Sequence, residues 1–171
     1  MSNEITASHV ANFFLIKGEH DNIPLKKTKL LKLIYIGYGW VHALTGVPLF
    51  EDQIEAWEYG PVVPSIYYEF MWFQDSQINC LATLDIPKEG NVRSWWEPEI
   101  PKKEKRILHI LNGVWEMYKG YNANTLVKLT HELDTPWAKT YDGEKHRVIN
   151  PDLIEKHYLG LIDDIKEGMA N

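Results

Sequence analysis

Between Leu30 and Leu44 the chain reads "LLKLIYIGYGWVHAL", a helix-length stretch with no polar stripe. Leu30, Leu33, Gly37, Val41 and Leu44 share one line along a helix, and Leu31, Tyr35 and Tyr38 share another. A surface helix keeps one polar face, so a helix apolar all round is expected at the centre of its fold, with other elements packed about it. Gly37 and Gly39 reinforce this. Each costs about 0.8–1.0 kcal/mol against alanine inside a helix, which implies that another element comes close enough to need the missing side chain. Gly46 supplies the stop.

The whole chain has 171 residues, enough for one domain that buries its own core. With 44% hydrophobic and 25% charged residues, it has the balance of an ordinary globular protein. A net charge of −6 does not suit binding to phosphate backbones, so nucleic acid is not an expected partner. Cys80 is the sole cysteine, which excludes an intrachain disulfide and any multi-cysteine zinc site and fits a reducing compartment. No apolar run reaches membrane-spanning length, and "MSNEITASHV" has neither the basic start nor the apolar core of a signal peptide. A cytoplasmic protein is the expectation.

Along the chain, helical periodicity predicts a short amphipathic helix over residues 6 to 18, with Thr6 or Ser8 as its cap and Gly18 as its stop. The central helix follows and ends at Thr45 and Gly46. "QIEAWEY" alternates as a short extended segment, Pro61 breaks it, and Pro64 starts a helix to about Gln74. Residues 75 to 100, with Pro87, Gly90, Pro98 and the pair Trp95–Trp96, read as short strands or loops. A further helix carries Ile107, Leu108, Leu111, Val114, Trp115 and Tyr118 on one face. Asn122 or Asn124 caps the next, "TLVKLTHEL", which "DTPW" ends, and a last amphipathic helix follows Pro151. The prediction is a single, compact, mainly α domain over residues 1–171, with about six helices around a buried central one and a small extended insert.

Signatures of catalysis are absent from the sequence: there is no glycine-rich phosphate loop, no GxSxG elbow and no HExxH. His9, His20, His42, His109, His131, His146 and His157 show no paired ligand spacing, so no metal and no cofactor are expected. Cys80 with His131 is the one nucleophile–base pairing to consider, against the commoner role of a lone cysteine as a small hydrophobe. Lys26, Lys27, Lys29 and Lys32 gather at the amino end of the central helix, where cations oppose the helix dipole by about 0.3–1 kcal/mol each. Ion pairs within the chain or an acidic partner surface would compensate them.

The segment "IEAWEYGPVVPSIYYEF" admits two readings. As a folding corner, Gly60-Pro61 turns the chain while Trp57 and Tyr59 pack on the glycine-bearing face of the central helix. As a binding surface, the same aromatics are anchors of the kind enriched at interfaces. Adjacent Tyr67 and Tyr68 cannot both face one core from a helix, so at least one is expected in solvent.

Taken together, "KLLKLIYIGYGW", "LTGVPLFEDQIEAWEYGPVVPSIYYEF" and "LTHELDTPW" resemble the SocA-like antitoxin domain, or Panacea domain, over about residues 5 to 165. The resemblance implies a non-enzymatic bacterial or prophage protein that neutralises a cognate toxin by direct binding, with delivery to an ATP-dependent protease as a further option. The motif falls on Lys29, Lys32, Leu33, Tyr35 and Trp40, on Leu49, Phe50, Glu55 to Trp57, Tyr59 to Val62 and Tyr67, and on Thr130, His131, Pro136 and Trp137. The partner-binding set expected from it is Lys29, Lys32, Trp57, Tyr59, Gly60, Pro61, Tyr67, Tyr68, His131 and Trp137. Leu31 and Tyr38 depart from the family pattern, which often has glutamine at both. The alternative function is an enzyme or small-ligand-binding protein that uses Trp57, Tyr59 and His131.

Overall fold

A computed structural model describes residues 5–87, 93–144 and 146–170. Gly90, one of the loop signals, lies outside these residues. In chain order the elements are α1 (Ala7–His20), α2 (Lys27–Thr45), β1 (Glu55–Trp57), β2 (Gly60–Val62), α3 (Pro64–Glu69), a 3-10 turn (Met71–Phe73), β3 (Leu84–Pro87), β4 (Arg93–Trp96), α4 (Lys105–Tyr118), α5 (Ala123–His131), α6 (Pro136–Thr140), β5 (Arg147–Val148) and α7 (Pro151–Ala170). The class is mainly α with a small β insert.

Helix α2 is the hub. It packs against α1, α4, α5, α7 and β2, and every residue from Leu30 to His42 is buried. Burial of a large aliphatic or aromatic side chain is worth about 1.5–3 kcal/mol, so this one helix supplies a large share of the drive to fold. The two glycines mark where its neighbours come closest. A Cβ on Gly37 would lie 2.9 Å from a methyl of Leu111 on α4, and one on Gly39 would lie 2.0 Å from the ring of Tyr158 on α7. Leu44, expected on the buried stripe, is partly exposed at the last turn, where Gly46 adopts φ +72° and ends the helix.

Helix α1 starts at Thr6 as expected, with His9 in the place usually held by glutamate or glutamine: the Thr6 N–H donates to His9 Nδ1 (3.1 Å). Asp52, distant in sequence, accepts from the Ala7 N–H (3.1 Å) and so adds a second cap. The helix does not stop at Gly18. It runs to His20, and Gly18 instead lets the Ile23 carbonyl pass close by. Buried Asn12 fixes the region after α3, because its amide donates to the Ala82 and Pro98 carbonyls (3.0 and 2.9 Å) and accepts from the Ala82 N–H (2.7 Å).

Pro61 does not break the extended segment. It lies within β2, opposite Ala56, and β1 pairs antiparallel with β2 on one side and β5 on the other. A central strand would exclude proline, whereas β2 is an edge of this three-stranded sheet. Pro64 opens α3 as expected, but the α-helix ends at Glu69. The "DTPW" segment ends α5 and also begins α6: the Thr135 hydroxyl accepts from the Ala138 N–H (3.2 Å), and Pro136 occupies the first helical position. The described residues therefore hold seven α-helices, where the periodicity suggests about six. In α7 Ile154 and Tyr158 are buried against α2, while Ile165 further along is exposed. No helix among the described residues is long and apolar enough to cross a membrane.

Replacing Gly39 with alanine should destabilise the fold by about 1–3 kcal/mol, because the buried Tyr158 ring has to move. Trp40→Ala should cost about 3–5 kcal/mol, since that ring is almost wholly enclosed. Urea denaturation of both variants tests this, and a loss below about 0.5 kcal/mol, the range of plain surface substitutions, would contradict the close packing.

Candidate functional site

The "EAWEYGP" and "LTHELDTPW" segments meet in space. Helices α5 and α6 place His131 and Trp137 beside the β1–β2 hairpin, and both side chains reach its main chain. Trp137 Nε1–H donates to the Trp57 carbonyl (2.7 Å), and His131 Nε2 lies 3.1 Å from the Glu58 carbonyl. His131 Nδ1 lies 2.6 Å from the Val127 carbonyl within its own helix. Each ring nitrogen therefore faces an acceptor, and a neutral imidazole can donate to only one of them at a time. The Trp137 ring stacks on Tyr141 (centroids 4.9 Å, 17°) and touches the His131 ring (3.8 Å).

Under the hairpin lies Lys32. Its side chain is 1% exposed and its ammonium donates to the Pro61 carbonyl (3.1 Å). Gly60, at φ +102°, makes room: a Cβ there would come within 2.7 Å of Lys32 Nζ and 3.0 Å of the Thr130 hydroxyl. The position needs glycine for both its backbone angle and its neighbours. Burial lowers the pKa of Lys32 to about 7.

The outer face of the hairpin is aromatic. Trp57 contacts Tyr67 (4.9 Å between centroids), Tyr68 (6.3 Å) and His146 (5.9 Å), and its indole N–H donates to Glu55 (2.7 Å), whose carboxylate also meets His146 (3.0 Å). Lys27 Nζ lies over the Tyr67 ring at 4.4 Å from the centroid, a cation–π geometry. Tyr68 is 52% exposed and Tyr59 70% exposed.

Several expected site residues therefore occupy other places. Lys32, Gly60 and Pro61 lie beneath the surface, where they hold the hairpin in shape. Lys29 turns away to α4, donating to the Lys119 carbonyl (2.5 Å). Tyr59 does not pack on the glycine-bearing face of α2, because Leu111, Phe14 and Tyr158 fill that space. Among the described residues no carboxylate pairs with Lys27, Lys29 or Lys32: backbone carbonyls receive Lys29 and Lys32, and a tyrosine ring receives Lys27. Cys80 is not joined to His131; it lines a separate groove with Leu15 and Leu25. Among the described residues no group of three or more His, Cys, Asp or Glu could hold a metal ion.

The sequence reading missed Trp72, which is 85% exposed beside half-exposed Met71. The sequence carries no signal for it, because the apolar run Phe70 to Phe73 does not show which side chains face the core. Phe70 is buried and its ring approaches Phe73 (6.2 Å), so the two residues between them point outward from the 3-10 turn.

Lys32 gives the site a pH signature. A free lysine holds its proton up to about 10.5, so between about pH 7 and pH 10 the unfolded chain binds a proton that the folded chain has released at Lys32. Stability from this group rises with pH across that window, by up to about 1.4 kcal/mol per pH unit, and is flat below it. Lys29 shifts in the same direction through burial, so the proper reference is a Lys32→Met variant. Denaturation at several pH values should give a shallower slope for the variant, and equal slopes would place the titration elsewhere.

A family model for the antitoxin SocA-like, Panacea domain matches residues 30–138. That span contains α2 from Leu30 onward, the hairpin, α3 and the His131–Trp137 contact. Antitoxin SocA of Caulobacter vibrioides (strain NA1000 / CB15N) is 38% identical over 140 residues, which cover 81% of this chain and 72% of that protein. No solved structure matches the chain. The two motif blocks, the contacts that bring them together and the extent of both matches lead to one assignment: the chain belongs to the SocA-like Panacea antitoxin domain family.

Proposed function

We propose that the chain neutralises a cognate toxin in the cytoplasm by binding it directly, without catalysis, and that the toxin docks on the aromatic face formed by Trp57, Tyr67 and Tyr68. The observation that carries this reading is the exposure of large aromatics on a hairpin and helix that are themselves firmly held. Half-buried Trp57 and Tyr67 fix the position of Tyr68, so its exposed ring is presented with little further loss of freedom on binding. Tyrosine and tryptophan are the side chains enriched among residues that dominate interface energies. Tyr59 and Trp72 extend the exposed aromatic set along the same segment. The family membership supports an antitoxin role, and Antitoxin SocA is named for it.

Delivery of the bound toxin to an ATP-dependent protease is a second step within this reading. It would appear as a shorter toxin half-life when the antitoxin is co-expressed. The ligand-site alternative at Trp57, Tyr59 and His131 draws no support from the geometry, because backbone carbonyls face both His131 nitrogens and Tyr59 points to solvent.

Tyr68→Ala should weaken toxin binding by about 2 kcal/mol, close to thirtyfold, and leave the melting temperature nearly unchanged. Trp57→Ala should lower both. The measurements are growth rescue from a toxin encoded by the neighbouring open reading frame, affinity by calorimetry, and a melting curve for each variant. Full rescue and unchanged affinity by folded Tyr68→Ala, Tyr59→Ala and Trp72→Ala variants would move the docking surface elsewhere.

A further inference from the structure

Beyond the β1–β5 pairing, where the Ile149 N–H donates to the Ile54 carbonyl (2.8 Å), the chain forms a half-open cavity of about 330 Å³. This lies at the small end of the range of ligand sites, the size of an amino-acid side chain or a compact metabolite. Phe50, Ile54, Ile149 and Ile154 supply apolar walls. Tyr38 of α2 lines the same space, and its ring leans on Phe50 (4.9 Å between centroids). The Tyr38 side chain is only 3% exposed and its hydroxyl makes no side-chain hydrogen bond among the described residues, but it is not one of the fully enclosed unpartnered atoms, which are Trp40 Nε1 and His42 Nδ1. The phenol therefore borders the cavity, where its oxygen can meet a ligand.

The charges around that hydroxyl have one sign. Glu51 and Asp52 line the cavity, and no lysine or arginine does so among the described residues. Asp152 and Glu155 on the first turns of α7 act on the Tyr38 hydroxyl and, together with burial as the larger cause, raise its pKa to about 12. His42, one turn along α2, brings Nε2 to 3.9 Å from Glu155. Asp52 is already engaged, accepting from the Ala7 N–H and the Ser65 hydroxyl (3.2 Å), and Glu155 faces His42, which leaves Glu51 in the lining and Asp152 beside it as the carboxylates open to a visitor.

The amino end of α7 does not offset this by holding an anion. Pro151 has no N–H, the Asp152 N–H donates to Asn150 Oδ1 (2.9 Å), and the next two N–H groups donate to the Asn150 carbonyl. The donors that would cradle a phosphate or carboxylate are used. An apolar slot with a phenol, one further aromatic ring and carboxylates at its rim is complementary to the opposite kind of ligand.

We propose that this cavity binds an organic cation, an ammonium or guanidinium group on an apolar body, with the hydrocarbon against Phe50, Ile54, Ile149 and Ile154 and the head accepted by the Tyr38 hydroxyl and the rim carboxylates. The cation is either a free amine or the lysine or arginine side chain of a bound polypeptide. The inference does not depend on the aromatic face as a docking surface, since it rests on a different set of residues.

The test is a titration of the full chain, followed through the isoleucine methyl resonances of Ile54, Ile149 and Ile154, with three probes: phenethylamine, its neutral counterpart 2-phenylethanol, and the peptide N-acetyl-leucyl-arginine amide. Saturable shifts with the amine or the peptide are expected, with the alcohol at least about tenfold weaker, because it lacks the charge that the rim attracts. Saturation by the amine alone identifies a free small molecule as the source, and saturation by the peptide alone identifies a partner's side chain. Tyr38→Phe and the pair Asp152→Asn with Glu155→Gln should each weaken binding about fivefold or more while the melting curve stays in place. Three results would overturn the proposal: no shift of these methyls by amine or peptide, equal binding of amine and alcohol, or binding that survives both sets of substitutions.

Discussion

The contact between Gly39 of α2 and the ring of Tyr158 on α7 is the constraint on which the arrangement depends. No side chain of any size fits between them, so the Tyr158 ring lies directly against the backbone of α2. Tyr158 also meets Tyr35 (6.3 Å) and Trp40 (5.5 Å), which ties three aromatic rings to that single approach. Gly37 repeats the device against Leu111, with Phe14 of α1 in van der Waals contact. Four helices thereby converge on two missing side chains. The close packing that results is sensitive to single methyl groups, because protein interiors have few voids to absorb them.

The most readable parts of the fold were those in which one local rule acts alone. The absence of polar residues from Leu30 to Leu44 placed α2 at the centre, and the glycines within it announced close neighbours. Thr6, Gly46, Asn122 and Pro64 marked helix ends through their own backbone chemistry. Where two rules compete, the sequence is ambiguous. Pro136 stops α5 and begins α6, since a proline that cannot continue one helix is well suited to the first turn of the next. Strand β5 spans only Arg147–Val148, too short for any alternation to show. Its existence comes from pairing with β1, which only the folded chain provides.

The site was legible in position more than in role. Trp57, Tyr67, Tyr68, His131 and Trp137 do gather around one hairpin. Their layering could not be read, because whether Tyr59 turns in or out depends on which residues have already filled the space beside α2. Lys32 shows the same limit. A lysine in an apolar helix suggests a surface charge or an ion pair, whereas here a single peptide carbonyl receives it and burial moves it toward neutrality. Such an arrangement is costly unless the amine gives up its proton, which is why its effect is felt as a dependence on pH and not as a fixed contribution.

The manner in which α5 and α6 grip the hairpin has a consequence for how recognition can change. His131 and Trp137 address the carbonyls of Glu58 and Trp57, and Lys32 addresses that of Pro61. Every residue type has a carbonyl, so the grip is indifferent to the side chains that Glu58 and Tyr59 present on the other side. The outward positions are thus decoupled from the scaffold, and substitutions there can accumulate without loosening it. A protein built in this way can alter a few exposed rings while its interior stays as it was.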